Sequence, residues 1–252
     1  MVMHGGIEVR PIVGLGEIEP GTDLAALIAA AAEEHGSALR DGDILVVTQK
    51  IVSKAEGCVV ELDSVEPSPL AREWATRWSK DARVVELVLR QSRRIVRMDR
   101  GVIISETHHG WVCANAGVDC SNVGGGRATL LPPDPDASAE RIRAALFGLT
   151  GAQLGVVISD TFGGAWREGQ TNVAIGVAGV EALRHFEGQL DPTGYELRVT
   201  MLATADELAA AAELVMGKVD AVPVALVRGL ERALGSGSSR ELVRPAANDM
   251  FR

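Results

Sequence analysis

No apolar run in this chain reaches the roughly 18 residues that a membrane-spanning helix needs, and Met1 to Gly6 has no apolar core that could make it a signal peptide. A soluble, cytoplasmic protein with no membrane partner is expected. Cysteine is scarce: Cys58, Cys113 and Cys120 make an odd set of 3 with no paired zinc spacing, which argues against a disulfide framework and against a structural metal knuckle. Positive charge is also short, 25 Lys+Arg against 34 Asp+Glu for a net −9, so nothing draws the chain as a whole to nucleic acid. Its glycine runs never end in Gly-Lys-Ser/Thr, which excludes a P-loop, and no internal repeat divides the sequence. A polyanionic substrate would therefore need local help. That help is a few placed cations, backbone N–H groups at Gly-rich turns, or a divalent metal held by carboxylates.

What is present suffices for one catalytic unit with room for two closely packed subdomains, since 252 residues at 46% hydrophobic can bury a substantial core. Strand and helix patterns alternate. Ile7–Val13 reads as a strand, broken by the two glycines of Gly14-Leu15-Gly16-Glu17-Ile18. Thr22 or Asp23 caps a helix whose Leu24, Leu27, Ile28 and Ala31 recur at helical spacing. Ile44–Val47 reads as a buried strand, and Thr48, Gln49, Lys50, Ser53 and Lys54 cluster in a loop at its exit. Trp74 and Trp78 lie four apart on one helix face and read as a core pair. Arg93, Arg94, Arg97 and Arg100 alternate with apolar residues as a half-exposed strand. His108 and His109 sit in a hairpin turn and point in different directions, so they are not a metal pair.

One stretch departs from this pattern: Cys113-Ala-Asn-Ala-Gly-Val-Asp-Cys-Ser-Asn-Val-Gly-Gly-Gly126. It sets Asn115, Asp119, Ser121 and Asn122 among small residues, where polar groups converge and backbone can approach a ligand. Taken alone it is equally an Asx-rich surface turn. A second stretch follows the buried strand Val156–Ile158, where Ser159-Asp160-Thr161-Phe162-Gly163-Gly164-Ala165-Trp166-Arg167 joins an acid, a hydroxyl, two glycines and an arginine. That set suits a metal-bound phosphate at a strand end. Further on, Asp136 or Ser138 is expected to cap a helix, Glu196–Leu202 to form a strand, and Thr204-Ala-Asp-Glu207 to open a helix as a capping box. Gly235–Ser239 reads as a flexible link.

In order along the chain, Ser53-Lys-Ala-Glu-Gly57, Cys113 to Val123, Ile158 to Arg167 and Ala205-Asp-Glu-Leu-Ala209 resemble the landmarks of the coenzyme F420 gamma-glutamyl ligases. The resemblance spans residues 7–250, leaving 1–6 and 251–252 as tails. It is similar to the bacterial branch, whose domain is often followed by a flavin-binding, nitroreductase-like one; with the sequence ending at Arg252, no second activity is expected. The resemblance implies an α+β fold with mixed sheets and flanking helices, two closely packed subdomains, and an intertwined homodimer.

It also implies a reaction: GTP-dependent addition of L-glutamate to the lactyl carboxylate of coenzyme F420-0 or its dehydro precursor, then gamma-linked extension. A carboxylate is a poor electrophile and must first take a phosphoryl group from GTP, with Mg2+ or Mn2+ neutralising the phosphates; K+ is an accessory ion. Carried over position by position, Asp119 and Asp160 hold one metal, Thr161 helps to hold a second, and Arg167 joins the two acids as catalytic. Leu15, Gly16, Glu17, Ile18, Gln49, Lys50, Lys54 and Asn122 contact GTP, with Gly217 and Lys218 added. One departure stands out. Archaeal members carry an acid after the helix-ending glycine as a ligand of the second metal, and this chain has Lys218. Either Asp220 substitutes, or the second metal is held differently, or Lys218 itself meets phosphate. Two rival readings are a metal-dependent nucleotide phosphohydrolase, since two acids and a hydroxyl also activate water, and a non-catalytic GTP-binding module.

Overall fold

β-branched runs alternate with helix-periodic segments, and the computed structural model, which describes residues 6–250, folds them accordingly. Of the expected tails, only Gly6 falls among the described residues. The strands are β1 (Glu8–Ile12), β2 (Ile44–Thr48), β3 (Val59–Glu61), β4 (Ser92–Asp99), β5 (Val102–Thr107), β6 (Val112–Ala114), β7 (Arg127–Thr129), β8 (Gly155–Gly164), β9 (Arg167–Ala178), β10 (Arg184–His185), β11 (Met201–Leu202) and β12 (Val224–Arg228). The helices are α1 (Leu24–Glu34), α2 (Gln49–Ala55), α3 (Pro69–Trp78), α4 (Ala82–Gln91), α5 (Pro135–Thr150) and α6 (Thr204–Met216).

The main sheet is mixed, in the order β1-β12-β2-β8-β9, with β2 and β8 parallel and the other neighbours antiparallel. Its central strands are apolar without alternation because both faces are covered. Leu45, Val47, Val156 and Ile158 pack with Ile28 of α1 and with Ile142 and Leu146 of α5. Ile44, Val46, Val157 and Ala225 pack with Leu208, Ala212 and Met216 of α6 on the opposite side. At one end of the sheet, Arg228 clamps the buried Asp43 through Nε and Nη2, each 2.7 Å from a carboxylate oxygen.

Between β2 and β8 the chain builds a second unit. A three-stranded sheet β4-β5-β6 and the pair β3-β7 pack with α3 and α4 around separate cores, one including Ala75, Val88 and Ile103, the other Leu62, Leu87 and Ala128. The α+β architecture in two closely packed subdomains is thus as the resemblance implied. Among the described residues, no helix is long and apolar enough to cross a membrane.

Several local expectations are corrected. The expected Thr48–Lys54 loop is the helix α2, because Thr48 Oγ1 accepts from Lys50 N at 3.1 Å and Ile51 and Val52 reach the main core. β8 does not stop at Ile158 but pairs with β9 as far as Gly164, so Asp160 lies within a strand rather than at its end. Asp134, not Asp136 or Ser138, caps α5; Asp136 accepts instead from Val177 N at 2.8 Å. No capping box opens α6, because the N-cap is Ala203 and Thr204 already lies inside the helix; Asp206 accepts from Ala174 N at 2.8 Å across the packing interface. The expected strand Glu196–Leu202 shrinks to the two residues of β11. The expected link 235–239 is tied down: Ser238 Oγ donates to Asp136 at 2.6 Å and Ser238 forms a capping box with Glu241.

Candidate functional site

Parallel pairing places Thr48 beside Ser159, so the next residues of both strands emerge together: the start of α2 with Lys50, and Asp160. Crevices outside the carboxyl ends of parallel strands are where ligands bind in α/β sheets. The segment after β6 turns back over this point through Asn115 and Ala116, whose φ values of 53° and 50° are left-handed. It is then pinned by a bridge in which Asp119 N donates to Thr129 O at 3.1 Å and Thr129 N to Asp119 O at 2.8 Å. The Asp119 carboxylate accepts from Ser121 N at 2.7 Å and Ser121 Oγ at 3.0 Å. Lys50 Nζ reaches both residues, 2.9 Å from Asp119 Oδ2 and 2.7 Å from Ser121 Oγ. Burial pushes the Asp119 carboxyl up, but the Ser121 N–H and the Lys50 ammonium outweigh it and hold the group below the usual carboxylate range.

Asp160 is different. Half-buried, it accepts one hydrogen bond, from Thr161 N at 2.8 Å. Burial, and then the charge of Asp119, push its pKa up from 3.8 to about 6, against the pull of Lys50 and Lys218. Two carboxylates thus share a site with too little positive charge for both, which is the electrostatic condition that a divalent cation relieves. Asp119 and Asp160 fit such an ion. Among the described residues no group of three or more His, Cys, Asp or Glu could hold a metal ion, so an ion on these two acids would draw the rest of its shell from water or substrate oxygens, as is usual for Mg2+. Cys113 lies near enough to feel Asp160; burial and that charge raise its thiol to about 12, leaving it inert.

Thr161 is already engaged. Its Oγ1 donates to Asn172 Oδ1 at 2.7 Å and accepts from Lys218 Nζ at 2.7 Å. The Lys218 ammonium lies a further 2.7 Å from Glu213 Oε1 of α6 and 3.4 Å from Asn172 Oδ1 of β9. Lys218 is aimed there by Gly217, whose φ of 61° and ψ of −170° are open to glycine alone. A Cβ on Gly217 would strike the carboxylate of Asp220, which is folded back over it.

The other expected residues divide by exposure. Leu15 and Ile18 are buried anchors, so the loop between them offers only the exposed Gly16 and Glu17 to a ligand. Lys54 Nζ holds that loop to α2 through Glu17 Oε1 at 2.5 Å. Gln49 is turned inward, accepting from Ser53 Oγ at 2.8 Å. Asn122 is exposed beside Ser121 with φ of 59°, a conformation asparagine tolerates. Arg167 sits away from the acids, opposite Gly164 at the tip of the β8-β9 hairpin, roughly 13 Å along the strand from Asp160 at about 3.3 Å per residue. Sequence reasoning missed Asn172 and Glu213; the only signal for either is the hairpin register and the packing of α6, which a linear motif does not carry.

A family model described as F420-0:Gamma-glutamyl ligase matches residues 13–229. The chain is 47% identical over 250 residues to the Coenzyme F420:L-glutamate ligase of Methanothermobacter thermautotrophicus, covering 98% of this chain and 97% of that one. It is 45% identical over 251 residues to the protein of the same name from Methanopyrus kandleri, covering 98% of each. The Archaeoglobus fulgidus protein of that name is 42% identical over 247 residues, 98% of this chain and 96% of the relative.

Proposed function

Because the chain belongs to the F420-0:gamma-glutamyl ligase family, we propose that it joins L-glutamate to the lactyl carboxylate of coenzyme F420-0 and extends the product through gamma linkages, at the expense of GTP. One observation carries this reading: Asp119 and Asp160 share one partly enclosed site with Lys50 seated on Asp119, and Asp160 is under-neutralised. A bound divalent cation would neutralise the phosphates and align donor with acceptor. Asp119 and Asp160 would hold it, their backbones fixed by the Thr129 bridge and by the β8-β9 ladder. Lys50 would turn from Asp119 toward the nucleotide phosphates as the cation takes over that carboxylate. Gly16 and Glu17, steadied by Lys54, would lie against the nucleoside, with Asn122 on the other side.

In this reading the substrate carboxylate takes the gamma-phosphoryl group and GDP leaves; the glutamate amine then attacks the acyl carbon and phosphate departs. Positioning is the protein's main contribution. The dehydro precursor is an alternative acceptor, K+ an accessory ion, and the working unit a homodimer. Mass analysis of the precursor after incubation with GTP, Mg2+ or Mn2+, and glutamate tests the proposal. Glutamyl mass increments should require all of these components, and Asp119→Asn or Asp160→Asn should lower the rate by roughly a hundredfold or more, as disturbing a metal's surroundings does. GTP hydrolysis indifferent to both precursor and glutamate would make the protein a phosphohydrolase instead. Tight GTP binding with no product would make it a binding module.

A further inference from the structure

We infer that the Lys218 ammonium takes the place of a second metal ion, so that this chain holds a single divalent cation, on Asp119 and Asp160. The inference rests on the ligase reading for that first cation. An ammonium has three N–H donors and no acceptor, and here three oxygens from three separate elements meet it: Thr161 Oγ1 from β8 at 2.7 Å, Asn172 Oδ1 from β9 at 3.4 Å, and Glu213 Oε1 from α6 at 2.7 Å. The cage is therefore built for a cation, and the cation is covalently attached. The hydrogen of the Thr161 hydroxyl is committed to Asn172, which leaves its lone pairs facing Lys218.

A metal ion on Thr161 would have to displace the ammonium or sit beside it, and two cations in contact repel each other. Of the three oxygens around the ammonium only that of Glu213 belongs to a carboxylate, and Glu213 is already paired, whereas hard divalent ions ordinarily gather several charged oxygens. Asp220, two residues on from Lys218, is exposed and folded over Gly217. Gly217 fixes the direction in which Lys218 leaves the helix, so the arrangement belongs to the backbone as well as to a flexible side chain. The charge of Lys218 reaches Asp160, which places the tethered cation alongside the divalent site as a second point charge for phosphate.

The test is a count. The whole chain would be dialysed to equilibrium against Mn2+ with a non-hydrolysable GTP analogue, and the retained Mn2+ measured by electron paramagnetic resonance. One ion per chain is expected for the natural sequence and for Thr161→Val, and two for Lys218→Asp, which restores an acid in the cage. Two ions on the natural chain, or loss of the single ion in Thr161→Val with its circular dichroism spectrum intact, overturns the inference while leaving the ligase reading standing. No retained ion at all removes the metal site of the ligase reading and this inference together.

Discussion

Asp160 is a carboxyl whose surroundings oppose its own charge. Burial and the neighbouring Asp119 raise it to about 6, while Lys50 and Lys218 pull the other way. The folded chain therefore holds this proton more tightly than the unfolded chain does. The resulting stability is fully present below the ordinary value of 3.8 and is lost as pH rises through about 6. Without metal, Asp160→Asn should therefore melt a few degrees above the natural chain at pH 8, on the scale of about 2–4 °C per kcal/mol for a domain of this size. The gap should close as pH falls below 6 and vanish near 4. Calorimetry in chelator across that range checks it, and a gap independent of pH would refute the electrostatic account. Asp119 and Asp160 stood out in the sequence because each lies in a short stretch whose composition is unusual, while Lys50 stood in a polar cluster and gained its role only through the family resemblance. Glu213 was not, since an acid on an alanine-rich helix looks like any solvated one until α6 is packed against β9.

At the scale of elements, the exit of β2 shows what composition hides. Polar residues after a buried strand read as a loop, yet Thr48 caps a helix whose far side is anchored by Ile51 and Val52. The stretch 172–183, rich in Gly, Ala and Val, fits strand or helix by composition alone; the ladder with β8 makes it β9 as far as Ala178, and a glycine within it permits a close approach. Gly176 of β9 lies under the start of α5, where a Cβ would fall 2.5 Å from Pro135 O and 2.8 Å from Pro135 Cβ. Gly176→Ala should push α5 away from the sheet and lower stability by about 1–3 kcal/mol, the usual effect of overpacking. Urea denaturation would measure it, and an unchanged midpoint would show that the helix start yields freely. The same substitution shifts Asp136 against Val177, a bond that helps to seat α5 on β9.

For the whole molecule, the segment from β10 to β11 pairs apart from the main sheet and leaves Leu190 69%, Tyr195 61% and Val199 90% exposed. So much apolar surface on one arm favours a protein partner, and it supports the proposed homodimer. Size-exclusion chromatography with light scattering should return a dimer that Val199→Glu shifts toward monomer; a monomeric natural chain at micromolar concentration would count against it. Length and composition left room for two packed units and the family resemblance implied them, but their edges were not legible, because the second unit is an insertion between β2 and β8. That insertion has a kinetic consequence. The parallel pair β2-β8 cannot register until residues 49–154 have brought its ends together, and closing so long a loop is slow unless the intervening chain is already compact. The smaller unit is thus expected to fold early, and the Lys50 and Asp160 halves of the site to meet only after it, so a newly made chain would acquire its ligand site late in maturation.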